Sequence, residues 1–180
     1  MENSQSDIQF IKEMYAKARN KFKPNHIRIL LIAEAPPDSP ERYFYFEDVK
    51  KQDSLFLETM GVLYPQQKQQ YLSSGRDTML KRELLNTFKE DGYFLLDLSE
   101  IPSSLLGKSL ESCLPSLLER LKKQIDKNTP IILIKSNVFD ICYNPLVSSG
   151  YNVSSERIPF PGSGQQRVFR EKFAKAIASY

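Results

Sequence analysis

Two carboxylates four residues apart, Glu34 and Asp38, sit in the stretch Ala33-Glu34-Ala35-Pro36-Pro37-Asp38, directly after the apolar run Ile27 to Ala33. A carboxylate at the end of a buried strand can orient water or stabilise a developing cation. Desolvation there is expected to raise the pKa of Glu34 into a range useful for acid–base work. A third acid, Asp97, closes a second apolar run, Tyr93 to Leu96. A third stretch, Pro161-Gly162-Ser163-Gly164-Gln165-Gln166-Arg167, reads as an anion grip. Its glycines permit close backbone approach, and Ser163 with Gln166 reads as a capping box on a helix whose N-terminus favours negative charge. Arg167 or Arg170 adds a charge-assisted contact to phosphate. The GxxxxGK[ST] spacing of a Walker A loop is absent. Surface acids and an ordinary helix cap are the plain alternatives for these stretches.

The elements that must position these residues alternate between strand and helix. Ile27–Ala33 reads as a strand buried on both faces of a parallel sheet, stopped by a loop stiffened by Pro36, Pro37 and Pro40. Before it, Ser6 and Gln9 read as a capping box for a helix carrying Ile11, Met14, Tyr15, Ala18 and Phe22, closed by Pro24. Asp53 to Leu63 is expected to be a short helix and Gln66 to Gln70 a polar surface connection. Arg76 to Glu90 is predicted helical through Met79, Leu80, Leu84 and Phe88, with Asp91-Gly92 as its stop. Tyr93 to Leu98 is the second strand. Ser109 to Ile125 is an amphipathic helix, and a start near Ser112 puts Pro115 in its first turn. Ile131 to Ile134 is the third strand, and Val138 to Val147 a helix broken at Asn144-Pro145. Tyr151 to Ile158 reads as a fourth strand, before a final helix from Gln165 to Ala178. The alternation predicts a single α/β domain over residues 1–180, with a central, mainly parallel four-stranded sheet.

Composition narrows the function classes. The 180 residues are 41% hydrophobic and 26% charged, as in an ordinary soluble protein. No run approaches the length of a membrane span, and the acidic start lacks a secretory layout, so a cytoplasmic location is expected. Cys113 and Cys142 read as small core residues and are too few for an iron–sulfur cluster or structural zinc. With one histidine, His26, placed ahead of the first strand, a histidine metal site or a Ser-His-Asp triad is not expected. The net charge of +3 comes from the segment beginning at Glu156, which holds five bases and two acids. That suits a local basic patch meeting phosphate or, equally, a solvated helix face.

Taken in order, three loops resemble motifs of the uracil-DNA glycosylase superfamily. Ala33-Glu34-Ala35-Pro36-Pro37 is similar to the family's first motif, at the end of the first strand. Phe94-Leu95-Leu96-Asp97 looks like the strand that ends in a base-reading asparagine. Phe160-Pro161-Gly162-Ser163 aligns with the His-Pro-Ser motif before the last helix. The sequence departs from the family at three points. Ala35 stands where many members carry a catalytic Asp or Asn, Phe160 replaces the histidine, and Asp97 replaces the asparagine.

The resemblance implies a three-layer α/β/α fold and a DNA-binding protein that receives a flipped or damaged base. Its activity would be metal-free and cofactor-free hydrolysis of an N-glycosidic bond in an uncommon or damaged base. Glu34 or Asp38 would supply the acidic group. Ala35, Pro36 and Phe160 would line the pocket, and Tyr45 or Phe46 would stack on the base. Asp97 would read the base edge, which requires either a donor-rich edge or a protonated Asp97. Pro161, Gly162, Ser163, Gly164, Gln165, Arg167 and Arg170 would hold phosphate. A catalytically inactive nucleic-acid- or protein-binding member and a small nucleoside hydrolase are the alternatives. No membrane partner or iron–sulfur cluster is expected, and a monomer is the default.

Overall fold

The computed structural model describes residues 5–50, 53–162 and 164–180. It is an α/β fold: three parallel strands in the order β2-β1-β3, flanked by seven helices among the described residues. β1 (Ile29–Ala33) occupies the centre, and all five of its residues are buried, as an uninterrupted apolar run requires of a strand covered on both faces. β2 (Tyr93–Asp97) pairs with it along its whole length, Ile29 opposite Tyr93 and Ala33 opposite Asp97. β3 (Ile131–Leu133) lies on the other side, with Leu30 opposite Ile131. The three strands therefore end level with one another, and the residues that follow them share one rim.

The expected fourth strand reduces to two isolated parallel bridges, Ile131 with Val153 and Ile134 with Ile158. Between these bridges Ser154 turns its hydroxyl onto the Glu156 amide, so the segment touches the sheet only at its ends. It nevertheless brings Ile158 to the carboxyl rim.

Helix α1 (Gln5–Lys21) already contains Ser6, which therefore does not cap it. Helix α2 (Ser54–Leu63) is capped by Asp53, whose side chain accepts from the Phe56 amide at 3.1 Å. The stretch expected as a surface connection is instead helix α3 (Pro65–Ser73). Pro65 opens it, where a missing N–H costs nothing, and fully buried Tyr71 anchors it against Phe56. Helix α4 (Thr78–Glu90) starts after Asp77 rather than at Arg76, because the Asp77 carboxylate accepts from Met79 and Leu80 amides. Met79 is 56% exposed, and the buried stripe runs through Lys81, Leu84, Leu85 and Phe88.

Helix α5 (Leu114–Gln124) begins with Pro115 in its first turn, as the sequence predicts. Helix α6 (Ser136–Ser148) runs unbroken through Pro145. That proline lies in the last turn, where its missing N–H removes only one intrahelical bond. Helix α7 (Gln166–Ala178) buries Phe169 and Phe173 and packs on α2. Cys113 and Cys142 are free and buried. No helix among the described residues is long and apolar enough to cross a membrane.

Candidate functional site

The carboxyl rim of the sheet opens into a cleft of about 370 Å³. Ala33 to Asp38 form one wall, and Asp97, Ile134, Lys135 and Phe160 also line it. Parallel pairing continues past the strand ends: Leu98 donates to the Ala33 carbonyl at 2.8 Å and Ser99 to the Glu34 carbonyl at 2.9 Å. Lys135 in turn donates its amide to the Ile158 carbonyl at 3.0 Å. The loops after β1, β2 and β3 are thus fastened to one another rather than fraying apart. The proline loop is fixed from outside, because the Tyr15 hydroxyl donates to the Pro37 carbonyl at 2.6 Å.

The two central carboxylates live in opposite environments. Glu34 is desolvated, which alone would raise its pKa. An ion pair with Lys135 and donors from Asn137 at 2.8 Å and Ser103 at 3.2 Å overcome that, and the net direction is down. The expected upward shift is therefore reversed, and Glu34 stays ionised at neutral pH. Asp97 is 2% exposed, and its Oδ2 has no hydrogen-bond partner among the described residues. Burial pushes its pKa up to about 7 against the pull of Arg19 and Arg120. Arg120 spends its guanidinium on the Asp97 and Leu98 carbonyls, at 2.9 and 2.8 Å, and so clamps the strand end rather than the carboxylate.

Lys135 carries the clearest backbone strain in the cleft, at φ 86° and ψ 133°. It sits at the junction of strand and helix, since its carbonyl accepts from Phe139 at 3.1 Å as α6 begins. A non-glycine residue held there costs about 1–3 kcal/mol. That conformation accompanies the placement of its ammonium on Glu34.

Ala35, Pro36 and Asp38 line the cleft as expected, and Asp38 accepts from the Ser104 hydroxyl. Phe160 is 42% exposed at the cleft, its ring lying over Gly162. A Cβ on Gly162 would stand 3.1 Å from that ring, so the glycine makes room for it.

The two candidate stacking residues are not brought to the cleft. Tyr45 is 1% exposed, and its hydroxyl accepts from the Leu95 amide at 2.7 Å and donates to the Leu95 carbonyl at 3.0 Å. It thereby satisfies the outward-facing backbone of β2, an edge strand among the described residues. Phe46 packs against Tyr43 and Tyr15, with ring centroids 5.5 and 6.0 Å apart. The aromatic rings that do line the cleft are Tyr43, Phe44 and Phe160. The Tyr43 hydroxyl is buried beside the Arg19 guanidinium, without a hydrogen bond of full geometry.

The expected phosphate grip is likewise elsewhere. Ser163 lies outside the described residues, and Pro161, Gly162, Gly164, Gln165, Arg167 and Arg170 do not line the cleft. Gln166 is the first residue of α7 and Gln165 its N-cap, so Gln166 cannot serve as the reciprocal residue of a capping box. Arg167 pairs with Glu171 at 3.2 Å and Arg170 with Glu58 at 2.7 Å. Arg157 and Lys175 are spent on Asp140 and Glu156 in the same way. The local excess of bases is consumed within the fold.

Sequence reasoning missed Arg42, Tyr43, Asp53, Lys135 and Asn137. Lys135 was reachable, since it follows the third apolar run as Glu34 follows the first. Asp53 lines the cleft from the start of α2, and its Oδ2 stands 3.9 Å from Nζ of the fully buried Lys81. Desolvation moves Asp53 up to about 6 and Lys81 down to about 8. Among the described residues no group of three or more His, Cys, Asp or Glu side chains is gathered as a metal site. Comparison of the chain with protein-family models, curated proteins and solved structures finds no match.

Proposed function

We propose that this chain is a uracil-DNA glycosylase-like three-layer α/β/α domain that takes a nucleobase into the rim cleft and hydrolyses its N-glycosidic bond. The observation carrying this reading is the meeting of Glu34 and Asp97 in one cleft, with their pKa values pushed in opposite directions. Environments that separate two acids in this way assign them different roles. At 370 Å³ the cleft falls near the lower end of the roughly 300–1,000 Å³ usual for ligand sites.

Protonated Asp97 offers one O–H donor and one carbonyl acceptor, the pair that an asparagine amide would present. The acid thus meets a base edge that itself carries a donor beside an acceptor. Ionised Glu34, held by Lys135 and Asn137, faces the positive charge that grows on the sugar as the bond breaks, and orients the attacking water. Tyr43, Phe44 and Phe160 supply the aromatic walls. Excision assays on oligonucleotides carrying uracil, hypoxanthine or alkylated bases test this reading; release of at least one such base above background is the expected result.

A second reading has its own support: Glu34 already holds three side-chain partners, and Ala35 leaves the family's usual catalytic position without a polar group. These features fit a member that binds nucleic acid without excising a base. Salt-sensitive oligonucleotide binding with no excision of any base in the panel selects it.

A further inference from the structure

The cleft lining holds four carboxylates, Glu34, Asp38, Asp53 and Asp97, and two cations, Lys135 and Arg42. Lys135 is taken by Glu34, and Arg120 by backbone carbonyls. Arg42, exposed at the end of the short 3-10 turn Pro40–Arg42, lines the same cleft, and its guanidinium makes no hydrogen bond or ion pair among the described residues. Glu41 precedes it on the same turn and has an interaction of its own, and Asp38 on the cleft wall is engaged by Ser104. Phe160 likewise lines the cleft, with 42% of its surface exposed. Deeper in, the Asp97 Oδ2 is a buried polar atom with no hydrogen-bond partner among the described residues, left to meet a ligand group.

An uncommitted guanidinium and an exposed aromatic ring at one cleft are the two groups that recognise a nucleotide without reading its sequence. The ring stacks on a base, and the cation meets a phosphate. We propose that Arg42 and Phe160 form a mouth subsite for single-stranded DNA, Arg42 contacting a backbone phosphate and Phe160 stacking on a base. This rests on the cleft being a nucleobase site, and it assigns the phosphate contact to Arg42 in place of the Ser163–Arg170 stretch. A duplex keeps its bases stacked on one another, so the ring favours a single strand.

The test is fluorescence-anisotropy binding of a short single-stranded oligothymidylate over a range of salt concentrations. Arg42→Gln is expected to weaken binding and to flatten the slope of log K against log salt by about 0.7, the loss of one phosphate contact on a single strand. Arg42→Lys keeps the slope. Phe160→Ala is expected to weaken binding roughly 5- to 150-fold with the slope unchanged. Lys123→Gln, on the exposed face of α5 outside the cleft, changes neither quantity. An unchanged slope in Arg42→Gln, or a duplex bound as tightly as the single strand, overturns this subsite while leaving the cleft's nucleobase reading in place. Failure of the wild-type chain to bind the oligonucleotide, with free thymidine still bound, also overturns the subsite alone. Failure to bind either overturns both.

Discussion

At the amino end of the sheet, the chain entering β1 is stitched to the turn before β2. Arg28 donates its amide to Gly92 at 2.8 Å and its side chain to the Asp91 carbonyl at 2.9 Å, while Tyr64 donates to Asp91 at 2.7 Å. Gly92 adopts φ 79° there, a conformation that suits a residue without a Cβ. The carboxyl end of the same strands carries a buried Asp97 oxygen without a hydrogen-bond partner among the described residues, and a strained Lys135. Each unsatisfied buried group costs about 1–3 kcal/mol. The amino end is closed by bonds within the chain, whereas the carboxyl end opens into the cleft. The lone histidine, His26, exposed beside the amino-end turn, takes no part in the site.

Removing the charge of Glu34 should give the largest effect at the carboxyl end. Glu34→Gln is expected to cut base excision about 10²- to 10⁴-fold with little change in the melting curve, as measured by single-turnover kinetics. Asp97 should show the opposite balance. Its carboxyl is raised in the folded chain, so the stability it permits is complete below its unfolded pKa near 4 and is lost as pH rises through about 7. Asp97→Asn is therefore expected to be more stable than the wild type above pH 7, by no more than about 4 kcal/mol, in urea melts. Gly92→Ala probes the amino end: its Cβ would stand 2.8 Å from the Arg28 Cβ at a positive φ, and a loss of about 2 kcal/mol or more is expected. Base affinity per folded molecule should be retained, and its loss would erase the distinction between the two ends.

Lys135→Gly should move stability least. Relief of about 1–3 kcal/mol of strain is opposed by the glycine's unfolded-state freedom and a lost ion pair. Its signature is chemical instead. Without the ammonium beside it the Glu34 pKa rises, so the acid limb of the excision profile shifts to higher pH.

The strands were legible because Ile29–Ala33 and Tyr93–Asp97 are apolar runs cut off by proline or turn residues, and their burial follows from that alone. Helix α3 was hidden because Gln66 to Gln70 is polar, and a single buried ring, Tyr71, ties it down. Pro145 was read as an interruption, yet it lies in a last turn, where a helix tolerates proline. Glu34, Asp38 and Asp97 were legible from their places at strand ends, whereas Asp53 enters the cleft from a helix start. Their protonation was not, because the direction for Glu34 depends on Lys135, Asn137 and Ser103, which come from three other positions in the chain. Tyr45 and Phe46 were misplaced because an aromatic after a loop serves a core and a cleft equally well in sequence. The Leu95 backbone settles it for Tyr45, and the rings of Tyr43 and Tyr15 settle it for Phe46.

The pH dependence of nucleobase binding in the wild type and in Asp97→Asn tests the central claim most directly. Calorimetric titration with free uracil should show wild-type affinity falling as pH rises through about 7, as Asp97 loses the proton it donates. The amide of Asp97→Asn carries its donor at every pH, so the variant should bind equally well at about pH 5 and about pH 9. A wild-type affinity that does not change across that range, or an Asp97→Asn chain that fails to bind at any pH, would contradict the account.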